Sequence, residues 1–541
     1  MQRILLTVSC TLAVVSTAMA EFADYYYLPP ESGSKADGPV PEAVLADLLD
    51  APRPLFVVDD FAGMNATLKA AAENPALEVA VHTPVEAPGE ALFGEGQPGL
   101  GGTVYMADLM SADAYAVRFK VDLRGLPAGT EVYAVDVTGP RAFGPFTAAD
   151  GVRWLPTLAG DTGALLVVSP DGAPPELRVA SLAHFYQDLA AKALPCPAPV
   201  ACGTDPMFQE VSTGVGRLLV PVGYGAYLCT ATLLNNPDTP ELEPVMFSAH
   251  HCFDGDVEVS GIEVFWDYRT ENCDGTGVPT LPSVPRSAGR QLLAHSTSLD
   301  AEFFAVGPIA DDAAAVPNGE YGRAWLGWDT RALALNDSVS LAHHPTGTPM
   351  KMCRGRVTSL NVTACLAGVG GMCSEEVSHQ TQVHWDEGIT EQGSSGSSLL
   401  LTDYNYRVVG ALSNGPVHNC SNPSQNYDNF ASFSRFYPQI QCYLREGVAC
   451  EPGDDEDSGD NGGWCVFKSA FGNDSAVTQA YRALRDQVLG KSGWTRPLVE
   501  VYYKAAPAMS RTVEACPLAR MLFSAGAAHG AAWIHRLGVA G

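Results

Sequence analysis

The chain is short of positive charge: 32 Lys and Arg residues stand against 61 Asp and Glu residues, a formal net charge of -29. This imbalance argues against nucleic-acid binding, because a phosphate backbone is held by clustered Lys and Arg side chains. After the first twenty residues, no uninterrupted apolar stretch reaches the roughly 18 residues of a membrane-spanning helix. The cysteines are widely spaced, which does not suggest a zinc site. We therefore expect a soluble, exported protein with an acidic surface.

The first twenty residues have the pattern of a secretory signal peptide. Arg3 provides a short basic start, residues 4–15 are apolar, and Ala18-Met19-Ala20 is a small-residue cleavage motif. Cleavage before Glu21 removes Cys10 and leaves 13 of the 14 cysteines in an oxidising compartment, where disulfides are expected. We predict secretion to the extracellular space or the periplasm, with at least one cysteine lacking a partner in the chain.

Periodicity and composition divide the exported chain into four parts. Residues 21–192 contain short strands between Pro/Gly turns, which predicts a β-rich domain, most simply a sandwich. Within this domain, Ala116 to Arg124 alternates apolar and charged residues, the pattern of a half-buried antiparallel strand. Residues 193–450 are dense in β-type runs and cysteines. Residues 451–463 are acidic and Gly-rich, typical of a linker, and 464–541 carry the helical periodicity of a small α-helical domain.

One turn carries the residue types of a nucleophile site: Gly393-Ser394-Ser395-Gly396, followed by the apolar residues 399–401. A serine hydroxyl becomes an effective nucleophile when a tight turn projects it toward a base and backbone N–H groups face the oxygen under attack. Glycines on both sides of Ser395 permit that backbone, and the N–H groups of Gly393 and Ser395 are candidates for an oxyanion hole. A plain Gly/Ser turn before a strand fits the same residues.

A candidate base and a candidate acid lie upstream of this turn. His251 ends a small-residue turn directly before Cys252, and a strand 23 residues earlier carries Cys229. Asp300 lies just before a run of apolar strand residues. Each segment alone fits a core histidine, a turn aspartate or a Gly/Ser turn. The order His251, Asp300, Ser395 nevertheless resembles that of trypsin-like serine proteases.

That resemblance implies a role for each residue. Ser395 attacks the scissile carbonyl, and His251 removes the serine proton and later delivers it to the leaving amine. Asp300 holds the imidazole tautomer and stabilises the imidazolium. His250 is the neighbouring alternative, but the family places its base immediately before the cysteine, which selects His251. The mechanism needs no metal and no cofactor.

Four longer segments are similar to the bacterial lysyl endopeptidase family, and the similarity spans about 196–437. It implies an all-β core with a chymotrypsin-like pair of antiparallel β-barrels and the active site in the cleft between them. A β-rich pro-domain (21–192) precedes this core and a small α-helical domain follows it. The resemblance also implies the disulfides Cys196–Cys420, Cys202–Cys273 and Cys229–Cys252. The four segments are residues 229–236, 248–252, 265–268 and 390–397.

Substrate preference is less well defined by the sequence. Trypsin-like enzymes bind a P1 cation six residues before the serine, where this chain has the uncharged Ile389. Lysyl endopeptidases place the acidic residue on the strand after the serine, where Asp428 matches. Asp428 either receives a substrate ammonium or is a turn or surface aspartate. Ser413 and Gly415 match the segment that pairs with the substrate backbone, but Ser413 stands where lysyl endopeptidases have histidine.

We therefore predict a secreted serine endopeptidase that acts on protein or peptide substrates, with cleavage after Lys as the first hypothesis. Lys192 is a candidate processing site that would leave Ala193 as a new amino terminus. The alternatives are Arg or broad preference, and a non-catalytic protease fold that serves as a binding module. The C-terminal domain resembles a small module of secreted bacterial proteins. It is either a structural appendage or a means of anchoring at the cell surface.

Overall fold

The computed structural model describes residues 20–451, apart from 31–38, 59, 72–77, 190–196, 224, 239–241, 254–256, 281–282, 311–313, 368–372, 417 and 419–425. The described residues up to 253 and from 258 to 451 form one compact unit. The predicted signal peptide, Lys192, the acidic linker and the helical C-terminal domain lie outside the described residues. In the described part, no helix is long and apolar enough to cross a membrane.

The N-terminal region is a β-sandwich preceded by two short strands. One sheet has the order β3-β6-β12-β8-β9, with β5 on β6, and the other joins β4, β13 and β7, with β10 and β11 on β7. Leu109 and Leu165 of the first sheet pack against Phe119 and Leu182 of the second in one core. The elements are β1 (Phe22–Ala23), β2 (Tyr26–Leu28), α1 (Glu42–Asp50), β3 (Leu55–Val58), α2 (Asn65–Ala71), β4 (Glu78–Pro88), α3 (Gly89–Leu92), β5 (Gln97–Gly99), β6 (Gly102–Ser111), β7 (Ala116–Asp122), β8 (Glu131–Asp136), β9 (Arg141–Phe146), β10 (Val152–Trp154), β11 (Leu158–Ala159), β12 (Thr162–Ser169) and β13 (Arg178–Phe185).

Strand β7 departs from the half-buried strand that its alternation predicts. Its apolar residues face the sandwich core as expected, but Arg118 on the other face is buried as well. The Arg118 guanidinium donates hydrogen bonds to the carbonyl oxygens of Leu155 (2.5 Å) and Gly261 (2.6 Å). The charged face therefore packs against the next part of the chain instead of facing water.

A first six-stranded antiparallel barrel follows. Strands β15 to β20 close a ring in the order β16-β15-β18-β19-β20-β17, because β17 pairs with both β20 and β16. Strand β16 also pairs with β4, so the second sandwich sheet continues into this barrel. The elements are β14 (Ala198–Pro199), α4 (Pro206–Ser212), β15 (Val215–Val222), β16 (Gly225–Leu234), β17 (Val245–Ser248), β18 (Glu263–Phe265), β19 (Arg286–Ser296) and β20 (Ala301–Gly307).

A second six-stranded antiparallel barrel closes in the order β23-β24-β25-β28-β27-β26, because β26 pairs with both β27 and β23. Helix α5 packs on it through Phe433 and Phe436. The two closed rings confirm the chymotrypsin-like double barrel predicted from the sequence. The elements are β21 (Arg323–Trp325), β22 (Trp328–Asp329), β23 (Ser338–His343), β24 (Lys351–Ala367), β25 (Cys373–Glu387), β26 (Ser398–Leu401), β27 (Arg407–Asn414), β28 (Tyr427–Ser432) and α5 (Phe433–Leu444).

Candidate active site

The Gly-Ser-Ser-Gly turn lies where the two barrels meet, just before β26. Gly393 and Gly396 have φ angles of +89° and +81°, in the left-handed region that glycine adopts without a steric penalty. A side chain at Gly396 would lie 2.1 Å from Ser248 Oγ, so the turn approaches the segment leading to His251 closely. The Thr230 N–H donates a 2.9 Å hydrogen bond to the Ser395 carbonyl. The first barrel (β15 to β20, called barrel one; β23 to β28 form barrel two) thus contacts the turn that carries the candidate nucleophile.

Two backbone N–H groups of this turn are left for an external acceptor. The Gln392 carbonyl accepts from Thr346 N–H (2.5 Å) and the Ser394 carbonyl accepts from Ser397 N–H (3.1 Å). Because a trans peptide directs its N–H opposite to its C=O, the N–H groups of Gly393 and Ser395 point away from these partners. Within the described residues neither of the two donates a hydrogen bond. Paired free donors beside a serine are the arrangement of an oxyanion hole.

His251 and Asp300 form a hydrogen-bonded pair. Asp300 Oδ2 accepts from His251 Nδ1–H at 2.8 Å, and Oδ1 accepts from the His251 backbone N–H at 2.8 Å. The Ser413 hydroxyl donates to Oδ2 at 2.6 Å. Asp300 adopts a φ of +59°, a conformation that aspartate tolerates better than most residues, at the turn entering β20. These three bonds orient the imidazole so that Nδ1 carries the proton and Nε2 is the ring nitrogen that can act as a base.

The Asp300 carboxylate stays ionised although it is only 1% exposed. Burial alone would raise the pKa of Asp300, but the His251 imidazole and the hydrogen bonds from His251 and Ser413 outweigh burial and hold the pKa below its ordinary value. The His251 side chain keeps 24% of its exposure. The pair therefore has a buried acid and an accessible base.

A disulfide at the neighbouring residue restrains the backbone of His251. Cys252 is bonded to Cys229 of β16 (S–S 2.06 Å), so the residue next to the base is tied to the strand that contacts the Ser395 turn. A second disulfide joins Cys202 to Cys273 (S–S 2.02 Å), and a third joins Cys442 to Cys450. The expected Cys196–Cys420 bridge lies outside the described residues. Among the described cysteines Cys353 is free and buried.

A second histidine–carboxylate pair lies beside the first and was not recognised from the sequence. His250 Nδ1 lies 2.7 Å from Glu302 Oε2, and the His250 ring stacks on His295. Burial raises the pKa of Glu302 to about 7, although His250 acts in the opposite direction. Glu302 is the second residue of β20 and lies two residues after Asp300 in the sequence. The sequence interpretation of His250 as a packing or surface residue omits this buried partner.

A row of buried side chains also supports the Gly-Ser-Ser-Gly turn. Ser394 Oγ lies 2.7 Å from His343 Nδ1, and His343 Nε2 lies 3.4 Å from Cys353 Sγ. Ser394 Oγ also accepts from the Glu391 N–H at 3.2 Å. All three side chains of this chain of contacts are buried. They fix the residue next to the candidate nucleophile, and neither serine nor histidine at these positions was singled out from the sequence.

The candidate P1 pocket is the set of residues that the sequence associates with substrate preference, and it combines an uncharged wall with a buried carboxylate. Ile389 is 3% exposed and carries no charge, as its position in the sequence suggested. Asp428 is not a surface residue: it is 2% exposed, and its Oδ1 lies 2.0 Å from where a side chain on Gly415 would begin. Glycine at 415 is therefore required for the carboxylate to reach the pocket. Ser413 directs its hydroxyl to Asp300, away from this pocket.

Three donors already bind the Asp428 carboxylate. Trp385 Nε1–H and the Thr390 hydroxyl donate to Oδ2 at 2.5 and 2.7 Å, and His418 Nε2 lies 3.2 Å from Oδ1. His418 Nδ1 accepts from the Thr390 backbone N–H at 3.1 Å, so Nε2 carries the ring proton. Burial alone would lower the pKa of His418, but its bond to Asp428 and the carboxylate charge outweigh burial and raise it. No sequence pattern pointed to His418.

No group of three or more His, Cys, Asp or Glu side chains in the described part of the chain is arranged to hold a metal ion. The polar groups of the candidate site are the Ser395 hydroxyl, two histidine–carboxylate pairs and the backbone N–H groups of Gly393 and Ser395. The two pairs are His251 with Asp300 and His418 with Asp428. These groups can activate a hydroxyl, move a proton and stabilise an oxyanion, which are the steps of acyl transfer.

Comparisons with known proteins find similarity to proteases. Residues 191–431 match the family model "Lysyl endopeptidase, C-terminal domain". A lysyl endopeptidase of Pseudomonas aeruginosa is 26% identical over 335 residues, covering 59% of this chain and 67% of that protein. Among solved structures, the active form of the Rv3671c protease from M. tuberculosis has a TM-score of 0.31 at 13% identity, covering 50% of this chain and 95% of that one. A thermostable serine protease, AL20, has a TM-score of 0.28 at 12% identity, covering 44% and 99%.

The double barrel and the family match define a serine endopeptidase. More narrowly, residues 191–431 are similar to lysyl endopeptidases, as the sequence motifs predicted.

Proposed function

We propose that this protease cleaves peptide bonds through a triad of Ser395, His251 and Asp300 and a covalent acyl-enzyme. Ser395 attacks the carbonyl carbon and gives its proton to His251 Nε2. The tetrahedral oxyanion accepts hydrogen bonds from the Gly393 and Ser395 N–H groups. Collapse of this intermediate expels the amine with the proton from His251, and water then repeats the sequence on the ester. The pair of free N–H groups beside Ser395 is the observation that carries the proposal most strongly.

Labelling with a fluorophosphonate tests the nucleophile. Wild-type protein should gain one phosphonyl group on Ser395, and Ser395→Ala should gain none. Ser338→Ala is a matched control, because Ser338 is an exposed serine on β23 of the same barrel. Folded wild-type protein that stays unlabelled would favour a non-catalytic binding module.

We further propose that Asp428 receives the ammonium of a P1 lysine. The carboxylate is buried against the Gly415 backbone, and a buried carboxylate attracts a cation strongly because little water screens it. Its present donors, Thr390 and His418, would have to share it with the substrate. Arginine or broader preference is the alternative, since a carboxylate with three partners has less capacity for a further one.

Matched peptide amides with Lys, Arg or Leu at P1 decide between these preferences. A hydrogen bond to a charged group contributes about 1.5–3 kcal/mol, which corresponds to about 10- to 150-fold in kcat/KM. We expect wild-type protein to favour Lys over Leu by at least this factor and Asp428→Asn to lose the preference. Equal hydrolysis of Lys and Leu amides by wild-type protein would exclude the Asp428 proposal while leaving the triad intact.

Export and processing are part of the same proposal. A signal peptide ending at Ala20 would deliver the chain to an oxidising compartment, which agrees with the disulfides Cys202–Cys273 and Cys229–Cys252. Cleavage after Lys192 would then separate an N-terminal fragment from the protease. Amino-terminal sequencing of the secreted protein should give Glu21 and Ala193. Protein and peptide substrates need no further cofactor for this chemistry.

A further inference from the structure

The residues that follow the expected signal peptide pair with β21 and β22, and β22 pairs in turn with β27 of barrel two. We call Glu21–Pro29 the N-terminal strap. Strand β1 pairs with β22 and β2 pairs with β21, both antiparallel. Ala23 is 5% exposed and belongs to the same core cluster as Trp328 and Phe433. The strap is thus part of the protease core, although it precedes the sandwich in the sequence.

Polar contacts fix both ends of the strap. The Glu21 N–H donates to Thr330 Oγ1 at 2.8 Å, and the Tyr437 hydroxyl donates to the Glu21 carboxylate at 2.6 Å. At the other end, Asn318 Nδ2 donates to the Pro29 carbonyl at 2.6 Å. A segment held only by chance contact would not satisfy main-chain groups at both of its ends.

A charged pair holds the middle of the strap. Arg407 donates to Asp24 Oδ1 at 2.8 Å and also binds Asp329, and its guanidinium lies over the Phe22 ring. Asn235 Nδ2 donates to the Asp24 carbonyl at 2.7 Å. Arg407 begins β27, whose last residues include Ser413, the donor to Asp300. The strap therefore binds the strand that reaches the candidate active site.

Two glycines beside β21 and β22 leave room for the strap. A side chain on Gly327 would begin 2.3 Å from the Ala23 carbonyl oxygen, and one on Gly322 would begin 2.5 Å from the Leu28 carbonyl oxygen. Both obstacles are backbone atoms, which cannot move aside as a flexible side chain can. The β21–β22 segment is thus shaped for a strand that lies against it.

A second attachment lies on barrel one, beyond the strap. Gly225 to Tyr227 of β16 pair with residues 78–81 of β4. Thr157 of the sandwich donates from its hydroxyl to the buried Glu263 of β18 at 2.7 Å, and Arg286 of β19 donates to the same carboxylate and to the Thr157 carbonyl. Removing the N-terminal region would expose a buried ion pair as well as a strand edge, and both cost free energy.

The cleft stays accessible with the N-terminal region in place. The His251 side chain is 24% exposed, Ser395 is partly exposed, and Gly415 is exposed. Departure of the N-terminal region is therefore not needed for a substrate to reach these residues.

We infer that the N-terminal fragment, starting at Glu21, remains bound as a second chain of the protease after the chain is cut between the sandwich and barrel one, with the strap permanently paired to β21 and β22 beside barrel two. Where the cut is the processing after Lys192, this inference rests on the proposed function. The interface itself does not depend on it.

The test uses the full chain carrying Ser395→Ala and a recognition sequence for an unrelated, specific protease in place of residues 191–195. Cutting is then independent of the chain's own activity, so failure of the proposed function does not affect the result. We expect both fragments to co-elute on native gel filtration and to separate only in denaturant. Separate elution of the N-terminal fragment in native buffer would overturn the inference.

Variants then test the strap in particular. Gly327→Ala should increase the dissociation constant of the cut complex at least tenfold. Gly307→Ala is the matched control, because a side chain at this β20 glycine would meet only Arg290 at 3.7 Å. If Gly327→Ala fails to fold, Asp24→Asn, which removes the charge that faces Arg407, should weaken the complex about threefold or more. Unchanged dissociation in both strap variants would show that the strap is not an anchor.

Discussion

Replacing Asp300 by Asn should abolish almost all turnover while leaving the fold intact. The reason lies in the distinct partners of the two carboxylate oxygens. Oδ1 accepts from the His251 backbone N–H, so the oxygen of an asparagine amide must occupy that place. The amide nitrogen then replaces Oδ2 and faces His251 Nδ1, which lies 2.8 Å from Oδ2 in the native site. Nδ1 must now accept, so the ring proton moves to Nε2 and the base is lost.

The magnitude follows from the role of the tautomer. In serine proteases the equivalent exchange lowers kcat by about 10⁴-fold, which corresponds to about 5 kcal/mol in activation free energy. The buried position of Asp300 supports a loss of this full size, because at 1% exposure water has little access to stabilise the productive tautomer. KM should change much less than kcat, since the pocket residues are untouched.

The assay is steady-state hydrolysis of a Lys peptide amide at pH 8, with enzyme concentration set by protein absorbance. Glu302→Gln is the matched control: Glu302 is also 1% exposed, is also bonded to a histidine, and lies two residues after Asp300 in the sequence. We expect its kcat to stay within about threefold of wild type. An Asp300→Asn variant that retains a tenth of wild-type kcat, or an equal loss in both variants, would refute the reasoning.

Three further predictions concern pH and the disulfide. Burial lowers the pKa of His344 to about 3, so the folded state excludes a proton that the unfolded chain takes up below pH 6.5. Lowering the pH from 7 to 4.5 should therefore cost about 2 to 3 kcal/mol of stability, and denaturant unfolding of His344→Gln should show a correspondingly smaller loss. As the pH falls through the raised pKa of His418, its charge offsets that of Asp428, so the kcat/KM preference for Lys over Leu should fall, and His418→Gln should make the preference independent of pH. Replacing Cys229 and Cys252 by Ala opens a loop of 23 residues and should cost about 3 kcal/mol in denaturant unfolding; a loss below 1 kcal/mol would contradict the restraint assigned to this bridge.

The parts of the site that the sequence predicted are those with a local signature. Ser395 lies between two glycines with positive φ angles, which are typical of a tight turn. His251 lies directly before a cysteine that forms a disulfide. Asp300 has no comparable motif and was selected by its position before an apolar strand. The double barrel was predicted through resemblance, since short β-type runs alone do not specify ring closure.

The parts that the sequence did not predict depend on tertiary contacts. His418 lies outside any strand, and its role arises only because β28 brings Asp428 to 3.2 Å from its ring. The alternation in β7 indicated a solvent-facing surface, yet Arg118 is buried because barrel one covers it and supplies the Gly261 carbonyl. Alternation reports which side chains share a face, but not what covers that face.

Strap residues were likewise assigned to the N-terminal domain, because proximity in sequence was the only information available for them. Their partners, such as Thr330 and Arg407, lie about 300 or more residues further along the chain. Pairing over such a separation leaves no periodic signal in either segment.

The most direct measurement of the central claim is a rapid-quench experiment with a lysyl nitrophenyl ester. The account predicts a burst of one nitrophenolate per enzyme molecule and, after acid quenching, an acyl group that peptide mapping locates on Ser395. A full-length, folded protein that hydrolyses the ester with no burst in quenched samples and no acyl group on Ser395 would contradict the account, as would acylation of a different residue.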